Sequence, residues 1–270
     1  MEALREVFSR IEHSRTADEV VQQVEGLILE GVLVAGDRLP GERDLSSQFN
    51  VSRPILRDAL KALEARGLVE TRHGGGSYVA DIVGEVFAPP MAELIRSHRK
   101  AAGDYLEYRR EVEAIAADYA ARRATEDDRA MLAAIMERMK AAHAAADFEA
   151  EAAADVDFHN AIGECAHNIV LLHTLRSCYR LLAQDVFYNR SVIYTLPGAR
   201  DRLLEQHRAI HEAVVAGDAK GAREAAARHI DFVEEAAAEA ERTSDWQRIS
   251  RLRLHQRTAN WDRKAKANAV

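Results

Sequence analysis

Near residue 80 the chain changes character, and that break limits what it can fold into. Before it, Gly, Pro and β-branched residues come in short clusters. After it, the sequence is rich in Ala, Glu and Arg and poor in Gly. Ala-rich sequence with apolar residues at three- and four-residue spacing reads as helix after helix. Between the two regimes, residues 80–90 hold Gly84 and the pair Pro89-Pro90, which cannot sit inside a helix. The expected division is therefore a first domain at 1–80, a linker at 81–89, a helical domain at 90–243 and a tail at 244–270. A chain of 270 residues is long enough for two domains of ordinary size.

The first domain opens with a helix over 17–30, where Val20, Val21, Val24, Leu27 and Ile28 form one stripe before Gly31 stops it. A turn and a short extended piece follow. GERDLSSQF then gives a short helix, broken at Asn50-Val51. Ser52 is placed to cap the next helix with its hydroxyl, and Pro54 fits an early helical position. Ile55, Leu56, Ala59, Leu60 and Leu63 make that helix amphipathic, and Gly67 ends it. The strand LVET, the turn RHGGG and the strand SYVA make a hairpin. This order is that of a winged helix-turn-helix. Its second helix is presented to the major groove, and its hairpin tip reaches the adjacent backbone or minor groove.

The stretch PGERDLSSQFNVSRPILRDALKALEARGLVETRHGGGSYV resembles the GntR-type winged helix over its whole length. LPxER, VSRxxxRxAL, LExxGLV and a glycine-rich wing carry the resemblance. With an all-helical second half, the chain resembles the FadR-like subfamily that carries an FCD domain. The fold expected is mainly α: a winged helix-turn-helix with a small β-hairpin, then an all-α FCD bundle of six or seven helices. The resemblance implies a transcription regulator, of repressor type, that dimerises and binds a short inverted repeat in double-stranded DNA.

Arg53 and Arg57 lie four apart and project from the same side of the recognition helix. An arginine fork bonds bidentately to guanine O6 and N7, the commonest specific base contact. Arg43, on the preceding helix, is positioned for phosphate or base contact. The matching arginines of FCD relatives touch DNA. The competing reading pairs these arginines with Glu42, Asp44 or Asp58 on the surface. His73 and Gly74 sit at the wing tip, where successive glycines permit a close backbone approach. Ser52 can cap the helix and touch phosphate at once. The formal net charge of −7 does not exclude DNA, because phosphate attraction depends on local charge.

In the helical half, Asp155 and His159 are four apart in DVDFHNAI and share one helix face. His207 and His229 lie on the last two helices, which an antiparallel pairing brings together. Three imidazoles and a carboxylate suit zinc, nickel, manganese or another first-row divalent ion. Eleven histidines offer many accidental combinations, so the pattern alone is weak. The resemblance adds that DVDFHNAIGECAHN and LEQHRAIHEAVVAGDAKGAREAAARHI fill the four ligand positions of metal-binding FCD members with Asp155, His159, His207 and His229. His211 is the alternative ligand. Arg109 either faces the cavity, as the resemblance implies, and pairs with an anionic effector, or bridges to Glu113 on the helix surface. Asn168 and Asn189 can offer amides to a ligand, and Asn168 can instead cap the next helix.

A metal and an arginine in a helical cavity suit a small carboxylate, of the lactate, pyruvate, glycolate or sugar-acid type that family members sense. A metal-responsive regulator is the rival reading. A metal-dependent hydrolase is disfavoured, because no general base stands beside the ligands and no phosphate loop or nucleophile elbow appears. Cys165 and Cys178 form no CxxC pair and read as packed thiols. No stretch approaches a transmembrane span and no apolar leader opens the chain, so the expected setting is cytoplasmic. The tail is basic, with Arg248, Arg251, Arg253, Arg257, Arg263, Lys264 and Lys266. It either touches DNA, packs as an extra helix through Trp246, Leu252 and Trp261, or frays into solvent.

Overall fold

The computed structural model describes residues 16–72, 75–82, 93, 94, 97–183 and 193–267. His73, Gly74, Asn189 and the Pro89-Pro90 pair, all singled out from sequence, lie outside the described residues.

The head is built on three helices. Helix α1 spans Ala17–Leu29 and buries Val20, Val21, Val24 and Ile28, the stripe expected from sequence. Helix α2, Glu42–Phe49, buries Leu45 and Phe49. It stops because Asn50 turns into the left-handed region at φ 55°, which Asn tolerates better than most residues. Helix α3, Arg53–Ala65, has Pro54 in its first turn and buries Leu56, Ala59 and Leu63. Ser52 occupies the cap position, but its hydroxyl makes no capping bond, contrary to expectation. Pro54 accounts for part of this, since it removes one of the first-turn N–H groups that a cap would serve. Strands β1, Val69–Arg72, and β2, Gly76–Val79, pair antiparallel with Val69 opposite Val79 and Arg72 opposite Gly76. One apolar core joins all these elements.

The sensor half is helical throughout its described length. The helices are α4 Arg99–Arg123, α5 Glu126–Ala144, α6 Phe148–Cys165, α7 Ile169–Ala183, α8 Ala199–Val215 and α9 Ala219–Ala267. Thr125 caps α5 and exchanges hydrogen bonds with Asp128. Helix α9 lies along α4, and alanines explain the close fit: Ala116, Ala117 and Ala120 of α4 share a core with Ala222, Ala225 and Ala226 of α9. Sequence placed a boundary at 243, but α9 runs through it without a break. Residues 244–258 are almost all exposed, including Trp246 at 67%. Helix α7 is described over Ile169–Ala183, and residues 184–192 are not described. Burial pushes Cys165 up to about 12 and Cys178 to about 11, so both remain thiols, as expected.

The head docks on α7 through the end of α1. His173 Nε2–H donates to the Leu29 carbonyl at 3.0 Å, and Arg176 Nη2–H donates to the Gly31 carbonyl at 3.3 Å. The Leu29 carbonyl is one that the end of α1 leaves open, and the Gly31 carbonyl lies just past it. Gly31 stands at φ +74°, and the Arg176 guanidinium lies 2.7 Å from where a Cβ would be. Gly31→Ala should therefore cost about 1–2 kcal/mol from backbone strain and push Arg176 aside. Urea unfolding should show the steric part vanish in an Arg176→Ala background, leaving only the strain. Equal costs in both backgrounds would mean that the contact carries no energy.

Candidate metal centre and nucleic-acid interface

Helix α6 buries Glu151, Ala154, Asp155, Phe158, His159, Ile162 and Cys165, a stripe at helical spacing. Asp155 and His159 therefore face the sensor core and not solvent. His207 lies in the buried stripe of α8 with Leu203, Ile210 and Val214. His229 precedes Ile230 on the face of α9 that meets the bundle, and only 1% of it is exposed. Packing α6, α8 and α9 together brings the three imidazoles to one point. One ligating atom from each of His159, His207 and His229 lies within 4.8 Å of the others.

Asp155 adjoins this cluster. Its Oδ1 is 3.2 Å from His207 Nε2, and its Oδ2 is 3.8 Å from His159 Nε2. The two Nε2 atoms of His159 and His207 are 3.3 Å apart. Phe158 meets the His207 ring edge-on at 5.2 Å and closes one side. Three of the sequence-predicted ligands, His159, His207 and His229, are thus brought together, with Asp155 against two of them. His211 is not in the cluster. Its Nε2 is buried without a hydrogen-bond partner, and burial and Lys140 hold its pKa below the usual histidine value.

Two residues that sequence reasoning did not assign to the site orient these rings. Glu113 on α4 accepts from His159 Nδ1–H at 2.8 Å. Gln206 Oε1 accepts from His229 Nδ1–H at 3.1 Å. In each case the bond places the ring's proton on Nδ1 and leaves Nε2 as the lone-pair donor. This is how outer partners prepare histidines for metals. Glu113 lies 46 residues from His159, so no spacing rule could have linked them.

Arg109 is both buried and paired. It is only 2% exposed and its guanidinium bonds Glu113, which is 4% exposed. The i,i+4 pair with Glu113 forms, but inside the bundle and not on its surface. Burial alone would raise the Glu113 carboxyl. Arg109 and His159 overcome it and hold the group at about 2. Tyr179 of α7 completes the wall, its ring 5.5 Å from that of His159 and under the Arg109 guanidinium at 5.4 Å. Asn168 is engaged elsewhere. Its Oδ1 accepts from the Leu171 N–H at 3.0 Å and caps α7, which accounts for it without a ligand role.

The donor chemistry fits a first-row divalent ion. Three neutral imidazoles and one carboxylate are the types such ions prefer, and the cluster is sealed from bulk water. A divalent charge against the Asp155 carboxylate leaves about one positive charge there.

On the head, Arg43, Ser52, Arg53 and Arg57 are all exposed. Arg53 and Arg57 lie one turn apart at the start of α3. Arg57 Nε is 2.9 Å from Glu42 Oε2, with the side chains 60% and 43% exposed. Such an exposed pair is worth at most about 1 kcal/mol, so it yields readily to a phosphate or a guanine edge.

Comparison with known proteins agrees with this division. Residues 16–79 match the model described as "Bacterial regulatory proteins, gntR family", and residues 104–232 match the FCD domain. An Escherichia coli protein named as a regulator of the L-lactate dehydrogenase operon is 40% identical over 223 residues, covering 81% of this chain and 85% of that one. The Glc operon transcriptional activator of the same species is 32% identical over 217 residues, covering 79% and 85%. The regulator LutR of Bacillus subtilis is 30% identical over 210 residues, covering 77% and 95%. Among solved structures, a GntR protein of Streptococcus agalactiae aligns with a TM-score of 0.53 at 26% identity, covering 82% of this chain and 100% of that one.

Proposed function

Because this chain belongs to the GntR family of DNA-binding transcriptional regulators and carries an FCD domain, we propose that a small 2-hydroxy carboxylate, with L-lactate first among candidates, controls its operator binding through the buried metal centre. The carrying observation is the convergence of His159, His207 and His229 beside Asp155 in the buried core of the helical domain. These four residues would hold the ion, which supplies the positive charge that a carboxylate seeks. Arg109 cannot supply it, since Glu113 already neutralises it. The name of the 40% identical relative supports lactate. A 2-hydroxy acid also offers two oxygens to one ion.

The regulator acts as a cytoplasmic homodimeric repressor, with Arg43, Ser52, Arg53, Arg57, His73 and Gly74 meeting a short inverted repeat. The acid can shift DNA affinity only by binding two head arrangements differently. Typical coupling is about 5–150-fold.

Elemental analysis of the purified protein should find about one divalent ion per chain, zinc being the first candidate. His207→Ala should weaken that ion at least ~100-fold, close to 3 kcal/mol. Operator duplexes selected from a random pool then allow a direct titration. L-lactate should weaken the complex at least ~5-fold with metal-loaded protein and leave His207→Ala unaffected. An acid without effect, while chelation alone changes DNA affinity, would transfer the signal to the ion itself.

A further inference from the structure

A pocket of about 450 Å³ lies between the head and the helical domain. Its head wall includes Ile28, Leu33 and Val34, and its sensor wall includes Met131 and Ile135 of α5 and Asn160 of α6. Junctions between domains are common places for small-molecule sites, and this volume is within their usual range.

Two buried polar atoms on its lining residues have no hydrogen-bond partner: Asn160 Oδ1 and His173 Nδ1. Both are acceptors. The His173 ring gives its Nε2–H to the Leu29 carbonyl, which can only accept, so Nδ1 is the ring nitrogen that remains to accept. Leaving such atoms unmatched costs about 1–3 kcal/mol each. The charged groups around them offer no remedy, because they are already matched. Arg138 pairs with Asp157 at 2.9 Å and Arg176 with Glu164 at 2.6 Å.

We infer that this junction is a second small-molecule site, for an uncharged or singly cationic compound that donates hydrogen bonds from an apolar body. Its chemistry is the opposite of the metal centre's, which calls for an anion. The inference does not rest on the metal reading. Tyr179 lines this cavity and also lies against His159, so the two sites share a wall. A molecule here touches α1 of the head as well as α5 and α6 of the sensor, so its presence favours one placement of the DNA-binding head.

The probe is tyramine, which carries two donors on an aromatic body. Its control is 4-hydroxyphenylacetate, of similar size but anionic. Calorimetric titration of the full-length, metal-loaded protein should give saturable tyramine binding, which the acid does not displace. Asn160→Leu and His173→Phe should each weaken it at least tenfold, and chelating the metal should change it less than twofold. In wild-type protein, magnetisation should pass from tyramine to the methyl groups of Ile28, Leu33 and Met131, which gives a reading that needs no variant. Absence of saturation up to about 10 mM, beyond the range of even a weak site, would overturn the inference, leaving ordered water as the partner of both atoms. So would binding indifferent to both substitutions, or binding lost with the metal.

Discussion

Arg53→Ala combined with Arg57→Ala should reduce operator affinity by about 10²–10⁴, since each bidentate base contact contributes about 1–3 kcal/mol of discrimination. Both side chains are exposed at the start of α3, one turn apart, so their loss removes nothing from the head core. Among the described residues, the stabilising contact at stake is the exposed pair between Arg57 and Glu42. Its loss should move stability by less than about 1 kcal/mol. Circular dichroism and melting should therefore be unchanged while the DNA complex disappears. The pattern across sequences is as informative as the affinity. If the arginines read bases, the double variant also loses preference for operator over random duplex. If they only meet phosphates, binding weakens alike on all duplexes and the salt slope falls. Unchanged operator affinity would remove α3 from the interface.

The second large effect is expected inside the sensor. Glu113→Ala should destabilise it by about 3–5 kcal/mol, because the substitution leaves the Arg109 guanidinium buried without its counter-charge. The same carboxylate holds His159 Nδ1–H, so metal affinity should fall about 10–100-fold as well. Two companion variants separate these roles. Glu113→Gln keeps an acceptor for His159 but removes the charge, so it should spare metal binding more than stability. Arg109→Met with Glu113→Met removes both charges together, and should recover most of the stability while metal affinity stays low. Urea unfolding followed by far-ultraviolet dichroism reads stability, and competition with a chelator reads the ion. A Glu113→Ala protein as stable as wild type would mean that the pair is open to water and not enclosed.

The outcome for individual residues shows where sequence reasoning works. Val20, Val24 and Ile28 recur at helical spacing, and Leu56, Ala59 and Leu63 do the same. Such patterns reflect local geometry, so the head was legible almost element by element. Asp155 and His159 were legible as a pair for the same reason, being one turn apart on a single helix. Ser52 shows the limit. Its position was correct, yet its hydroxyl makes no cap, because a side-chain rotamer answers to neighbours that spacing does not reveal. Arg109 shows another limit. An i,i+4 pair looks the same from sequence whether water or protein surrounds it, and burial alone makes this one costly to break. The end of α9 is a third case. The basic residues from 244 on were read as a separate tail, whereas α9 runs on to Ala267, since backbone bonds within a helix do not need a buried face to continue.

Everything periodic was therefore available from the order of residues: the helices, the hairpin, the outward arginines, and which histidines lie on the helices that build the bundle. What had to wait for three dimensions was every relation between distant segments. Glu113 beneath His159, Gln206 beneath His229, Tyr179 between His159 and the junction pocket, and His173 and Arg176 on the carbonyls of Leu29 and Gly31 all depend on how helices cross. The reason is physical. Local order is decided by short-range sterics and backbone bonding, whereas the juxtaposition of remote side chains is decided by packing summed over the whole core, where no single residue carries the information.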